Sequence, residues 1–197
     1  MSEHHLLQNK KRKTVGRSFR IDEEWLQVLS EEAERQGVSV NSILNRLLQQ
    51  YAYIRYMLRY GAITITRKGF SSLIACVPED KLRENGRNAG ANITKDMLLT
   101  MGVTPTYNFV ILLVKKILAE FAGWFECDHH IKRDKEILHF RHDLGINWSI
   151  YLSEVSAGTF NCLLNQEVSI EYTDSSVTIT IPKHTCKITK NGASGGL

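Results

Sequence analysis

The stretch that decides the fold is Val15-Gly16-Arg17-Ser18-Phe19-Arg20-Ile21, near the amino terminus of a chain of 197 residues. Apolar and polar side chains alternate in it, and that period is typical of a β-strand with one buried face. Phe19 and Ile21 fall on one face, whereas Ser18 and Arg20 fall on the other. The sequence offers no partner strand nearby, and an isolated strand leaves its backbone groups unpaired. The alternation therefore predicts pairing with the same strand of a second subunit.

Two helical patterns follow this strand. Asp22 and the two glutamates after it fit the start of the first helix, because acidic groups are favourable near its positive end. Gly37 is the glycine expected at the end of that helix, and Ser39 fits as the N-cap of the next. The first helix carries a predicted buried stripe and the second a broader apolar face: Trp25, Val28, Leu29 and Ala33, then Ile43, Leu44, Leu47, Leu48 and Tyr51. The broader face is too wide for one chain of this size to cover, which again predicts a dimer.

Two short motifs carry a resemblance to a known family. Ser18-Phe19-Arg20-Ile21 precedes the acidic helix start, and Ser39-Val40-Asn41-Ser42 follows a glycine. In both respects residues 14–56 resemble the ribbon-helix-helix DNA-binding family. The resemblance implies a homodimer whose two strands form an antiparallel ribbon in the major groove of double-stranded DNA. The resemblance implies that the DNA bases are contacted by Gly16, Ser18 and Arg20. It also implies that a DNA phosphate is contacted by Ser39, Val40, Asn41 and Ser42. Because glycine has no side chain, Arg17 is a further candidate for base contact.

The positive charge is concentrated in the first twenty residues. They hold six lysines and arginines and one acid, so they carry +5, whereas the whole chain carries +4. A local positive field is expected for an arm that faces a polyanion. Residues 1–13 have no periodicity and are expected to form a disordered arm. Sequence-independent phosphate contacts are predicted for Lys10, Lys11, Arg12 and Lys13.

Beyond the DNA-binding module, residues 14–60, the pattern of the chain changes. Residues 62–186 are predicted to form an α+β domain for ligand sensing or assembly, in which helices pack on one face of an antiparallel sheet. A disordered tail, residues 187–197, is expected to follow. The elements predicted in this half are a strand at Ala62–Thr66, a loop from Gly86 to Asn92, a helix from Thr106 to Phe121, a hairpin from Trp124 to His142, a helix from Trp148 to Leu164 and a hairpin from Val168 to Ile181.

The first of these hairpins contains the best candidates for a metal-binding or otherwise functional site. A turn centred on Asp134-Lys135 would put His130 opposite His139 and Cys127 opposite His142, close enough to share a metal. Such ligands suit zinc, nickel or copper. A metal-sensing regulator is one hypothesis, a polar patch that responds to pH or to an unknown small-molecule effector is a second, and plain structural histidines are a third. The candidate metal ligands are Cys127, His129, His130, His139 and His142.

Several classes of protein do not fit the sequence. Without a nucleophile elbow, a phosphate loop or paired carboxylates, no enzyme is predicted. The four cysteines form no CxxC pair, and reduced thiols in the cytosol are expected. Neither a signal peptide nor a membrane span is predicted, because the longest apolar run, Phe109–Val114, is far too short. The prediction is a cytoplasmic transcription regulator, most simply a repressor, that acts as a homodimer or as a tetramer or larger assembly on DNA. The alternatives are an antitoxin, an architectural or accessory DNA-binding protein, and a metal-binding protein whose N-terminal strand only dimerises.

Overall fold

The structure is a computed structural model that describes residues 14–59, 63–100 and 102–183. Its helices and antiparallel sheet make the fold class α+β, as predicted. None of the described helices is both long and apolar enough to cross a membrane. In chain order the elements are α1 (Glu23–Gln36), α2 (Val40–Arg59), α3 (Arg67–Ala75), α4 (Glu79–Asn88), π1 (Ala89–Ile93), α5 (Thr94–Thr100), α6 (Tyr107–Leu112), π2 (Leu113–Phe121), β1 (Glu126–Ile131), β2 (Lys135–Arg141), α7 (Ile146–Gly158), π3 (Thr159–Leu163), β3 (Ser169–Tyr172) and β4 (Ser176–Pro182).

The chain divides into two compact units, and neither is continuous in sequence. Unit 1 consists of Met1–Thr66 and Lys95–Phe125, and unit 2 consists of Arg67–Thr94 and Glu126–Leu197. The predicted division between residues 60 and 62 differs from this one because Lys95–Phe125 packs with the N-terminal helices. The predicted arm, residues 1–13, and the predicted tail, residues 187–197, lie outside the described residues.

In unit 1, both ends of α1 and the start of α2 lie where local signals predicted. The Asp22 side chain accepts a hydrogen bond from the Glu24 backbone N–H at 3.1 Å, which caps the start of α1. Gly37 ends that helix with φ at 64°, a left-handed value that glycine adopts without steric cost. The Ser39 hydroxyl then accepts a hydrogen bond from the Ser42 N–H at 3.1 Å, and α2 starts at Val40, directly after Ser39. Local hydrogen bonding therefore fixes the boundary between the two helices.

The core of unit 2 is built around α7. Trp148, Ile150, Leu152 and Phe160 of the α7–π3 helix are buried, and so are serines on its other sides. A helix that is buried all round is packed on more than one side. On one side α7 contacts β3 and β4, and on another it contacts α4. The predicted helix from Trp148 to Leu164 is present, although the structure places its start at Ile146.

The sheet of unit 2 has the strand order β1-β2-β4-β3 and is antiparallel throughout. Both predicted hairpins are therefore confirmed. Alternate residues of the two central strands are buried, which gives the sheet one packed face and one open face. The buried residues of that packed face are Leu138, Phe140, Val177, Ile179 and Ile181.

Three glycines allow the α4–π1 helix to lie directly on the backbone of α7. A Cβ atom at Gly86 would lie 2.7 Å from the Glu154 Cβ, and one at Gly90 would overlap the Val155 carbonyl oxygen. On the facing helix, a Cβ at Gly158 would lie 3.0 Å from the Ala91 nitrogen. Glycine is required because side chains at these positions would separate the helices.

Two predictions about secondary structure were wrong. The stretch from Gly86 to Asn92 is helical rather than a loop, because close packing on α7 outweighs the low helix propensity of glycine. Residues 63–66 form no strand despite their alternation, and Ala62 lies outside the described residues. Alternation alone does not make a strand when no partner strand is adjacent.

The close contact at Gly90 predicts whether a substitution there raises or lowers the free energy of unfolding. At an open helix position Gly→Ala stabilises a protein by about 1 kcal/mol. Gly90→Ala should instead lower the free energy of unfolding by about 2 to 3 kcal/mol, because the new methyl group must displace the backbone of α7. Urea denaturation followed by circular dichroism measures this change. Gly16→Ala, with nothing within 4 Å of the added atom, is the matched control and should stay within about 0.5 kcal/mol. A stabilised Gly90→Ala protein would contradict the described packing.

Candidate nucleic-acid interface

The predicted base-contacting residues lie in an exposed segment ahead of α1. Residues 14–20 are all exposed and have no regular secondary structure in the single chain. A ribbon forms only when two strands pair, so the ribbon stays a prediction about two chains. The side chains of Arg17, Ser18 and Arg20 are open to solvent, and Gly16 is equally accessible. The predicted phosphate contacts, residues 10–13, lie outside the described residues.

The four predicted phosphate-binding residues form the cap and the first turn of α2. Besides the hydroxyl contact of Ser39, the backbone N–H groups of Ser42 and Ile43 donate to the Ser39 carbonyl oxygen at 2.9 and 3.2 Å. The N–H groups of Val40 and Asn41 precede these and have no acceptor within the helix. They stand at the positive end of a helix of 20 residues. This geometry suits a phosphate oxygen.

The helices of unit 1 leave large apolar side chains uncovered. Trp25 of α1 is 70% exposed, and Leu48 and Tyr51 of α2 are 61% and 63% exposed. The predicted apolar face of α2 is uncovered in part, since Leu47, Leu48 and Tyr51 are exposed whereas Ile43 is buried in the single chain. The predicted buried stripe of α1 was wrong for a single chain, since Ala33 is buried whereas Trp25 and Val28 are exposed. These exposed side chains are candidates for burial against a second chain.

Charge is segregated between the two helices. Five glutamates and one arginine lie on α1, whereas α2 has three arginines and no acid. On α1, Arg35 donates a hydrogen bond of 2.6 Å to the Glu32 carboxylate, and Gln36 also donates to it. These two hydrogen bonds hold the pKa of Glu32 below its ordinary value, and the one from Arg35 has the larger effect. The acidic surface of α1 disfavours DNA, whereas the exposed segment before it and the start of α2 suit a polyanion.

The predicted register of the histidine-bearing hairpin was wrong. His139 lies opposite Asp128 rather than His130, and Cys127 lies opposite Phe140. The turn is centred one residue earlier than the sequence suggested, which shifts every pair. The candidate metal ligands are therefore dispersed, with Cys127 and His129 on the packed face of the sheet, His130 and His139 on its open face, and His142 beyond the end of β2.

Three of these histidines bind protein groups instead. Within the described residues, no three histidine, cysteine, aspartate or glutamate side chains are grouped so that they could hold a metal ion. The structure thus does not assemble the predicted zinc, nickel or copper site. The observed pairs are His129 Nε2 with Glu136 Oε2 at 2.8 Å, His139 Nδ1 with Thr178 Oγ1 at 2.9 Å, and His142 Nε2 with Ser149 Oγ at 2.9 Å.

His142 is buried at the amino-terminal end of α7. Its Nδ1 accepts a hydrogen bond from the Leu144 N–H at 3.4 Å, so the proton of the neutral ring lies on Nε2 and is donated to Ser149. Burial lowers the pKa of His142, and the neighbouring Asp143 carboxylate offsets part of that effect. Sequence reasoning missed Ser149 because no motif links it to a histidine seven residues earlier.

Comparison with known proteins identifies no family for this chain. No protein-family model matches the chain, and no curated protein sequence matches it.

The buried histidine predicts a stability that depends on pH. The pKa of His142 is lower in the folded than in the unfolded chain, where it is near 6.5. The folded state therefore resists protonation, and its stability should be complete above pH 6.5 and fall as the pH drops towards the folded pKa. Urea denaturation at several values between pH 7.5 and roughly pH 5 measures this loss. His142→Gln should flatten the profile, whereas His130→Gln, at an exposed position of the same hairpin, should leave it intact. An equally steep profile in His142→Gln would show that other groups cause it.

Proposed function

We propose that the protein is a homodimeric, sequence-specific DNA-binding transcription regulator of ribbon-helix-helix type. Residues 15–21 of two chains pair as an antiparallel ribbon in the major groove, and the two α2 helices hold the flanking phosphates. The observation that supports this most strongly is the combination in unit 1 of an unpaired, exposed segment with uncovered apolar helix faces. A second copy of the chain would both pair with the exposed segment and cover the apolar helix faces.

The chemistry of the exposed segment suits the reading of bases. A two-stranded ribbon fits the width of the major groove. Arg20 can donate two hydrogen bonds to a guanine, and Ser18 can donate or accept one. The start of α2 and the basic arm supply contacts to phosphates, which position the ribbon without reading sequence. The acidic α1 lies between the ribbon segment and the start of α2 in the chain and limits the orientations in which DNA can approach.

The rival functions differ in what they require of the rest of the chain. An antitoxin of this type usually has a short tail that is disordered alone, whereas unit 2 contains a four-stranded sheet with a buried core. The folded unit therefore favours a regulator. An architectural DNA-binding protein would show no sequence preference, and the following substitution distinguishes it.

Arg20→Ala should separate specific from nonspecific binding. We expect an affinity loss of about 10- to 100-fold for the preferred duplex and little change for a scrambled duplex, because only the base contact is removed. Lys11→Ala should weaken binding to both duplexes equally and reduce the salt dependence, since it removes a phosphate contact. Fluorescence anisotropy with labelled duplexes at several salt concentrations measures both. Equal losses on the two duplexes in Arg20→Ala would refute base reading and favour the architectural alternative.

Leu48→Glu should convert the dimer to a monomer. A carboxylate at this position would be buried in the interface without a partner, which is strongly unfavourable. The matched control is Leu73→Glu, because Leu73 of unit 2 is 63% exposed, compared with 61% for Leu48. Analytical ultracentrifugation should give a halved mass for Leu48→Glu with native circular dichroism, and an unchanged mass for Leu73→Glu. A Leu48→Glu protein that remains dimeric would exclude the proposed interface.

A further inference from the structure

The segment Lys95–Phe125 belongs to unit 1, but both of its ends continue into unit 2. We call it the inserted segment. At its start it follows Thr94, the last residue of the first part of unit 2, and at its end it leads directly into β1. Both ends of the inserted segment are therefore joined to unit 2 by peptide bonds.

Unit 2 holds both ends of the inserted segment firmly. Ahead of the first end, π1 lies on the backbone of α7 through Gly90. After the second end, all six residues of β1 pair with β2. Packing through glycine and a full strand ladder leave little freedom at the two attachment points. The inserted segment is thus anchored in unit 2 at both ends.

Inside unit 1, the inserted segment packs on α2 at one well-defined place. The ring of Phe121 stacks on the ring of Tyr53 with centroids 5.6 Å apart, and Tyr53 is buried. The Phe121 carbonyl oxygen also accepts a hydrogen bond of 3.5 Å from the Gln50 side chain. Phe121 lies only five residues before Glu126, the first residue of β1. A shift of β1 therefore has a short path to α2.

The helix that carries Phe121 includes an unusual stretch. Its second part, π2, is π-helical over nine residues, whereas π-helix usually occurs as a single turn. An α-helical arrangement of this part would pair each backbone N–H with the carbonyl four rather than five residues earlier, and would therefore change the direction in which Phe121 points. A conversion between these two arrangements is one way in which π2 could transmit a displacement.

We propose that the inserted segment transmits the state of unit 2 to α2 through the contact between Phe121 and Tyr53. A change that loosens β1 or π1 alters how Phe121 packs on α2, and binding events at α2 alter unit 2 by the same free energy. The role of this transmission in controlling DNA affinity rests on the proposed function. The coupling itself requires no DNA and is tested without it.

Hydrogen exchange of the full-length chain, read by mass spectrometry, tests this coupling. Unit 2 is perturbed by Val177→Ala, because Val177 is fully buried in β4. In the otherwise native chain, this change should speed exchange in residues 50–55 by about 10-fold relative to α1. With Phe121→Leu also present, the response should fall below about 2-fold, because the ring contact is lost. Tyr53→Leu is a second uncoupling variant, so the result does not depend on the folding of one protein. The control is Ile43→Val, in the other half of α2, which should leave the 10-fold response intact.

Two results would overturn the proposal. One is a response of residues 50–55 to Val177→Ala that is no larger than that of α1, since this would indicate global unfolding rather than transmission. The other is an undiminished response in both Phe121→Leu and Tyr53→Leu. Because no DNA is present, neither result bears on the proposed function, and a failure to bind DNA would leave the coupling intact.

Discussion

A β-strand cannot satisfy its backbone hydrogen bonds without a second strand, and this constraint governs the amino-terminal part of the protein. The segment before α1 has the alternation of a strand, yet it is exposed and unpaired in the single chain. The helices that follow leave Trp25, Leu48 and Tyr51 exposed. A second copy of the chain would supply the missing strand and cover these side chains. In the proposed function, dimerisation and DNA recognition are two consequences of one pairing.

The rest of the chain is organised around a different constraint, the close approach of two helices in unit 2. Gly86, Gly90 and Gly158 let the α4–π1 helix rest on the backbone of α7, which in turn packs on the sheet. This arrangement fixes the position of π1 and, with the strand ladder of β1, the two ends of the inserted segment. In the proposed regulator, the interleaved connectivity of the two units would supply a covalent route between unit 2 and the DNA-binding helices.

Features set by neighbouring residues could be predicted from the sequence. The caps at Asp22, Gly37 and Ser39 are examples, because each depends on a hydrogen bond or a backbone angle within four residues. The hairpin register could not be predicted, since moving the centre of the turn by one residue shifts the pairing by two residues and leaves the alternation of both strands unchanged. The helical state of Gly90 and the packing of Phe121 on α2 depend on residues far away in the chain, which periodicity does not reveal. The buried partner of His142 is only seven residues away and is missed because no sequence motif links the two residues.

Selection of bound sequences from a pool of random DNA duplexes tests the central claim most directly. The full-length protein is incubated with the pool in roughly 150 mM salt, where nonspecific phosphate binding is weakened, and retained duplexes are sequenced. A dimeric ribbon predicts an enriched motif with two half-sites related by a dyad or arranged in tandem. Retention without enrichment, or no retention, would contradict a sequence-specific regulator.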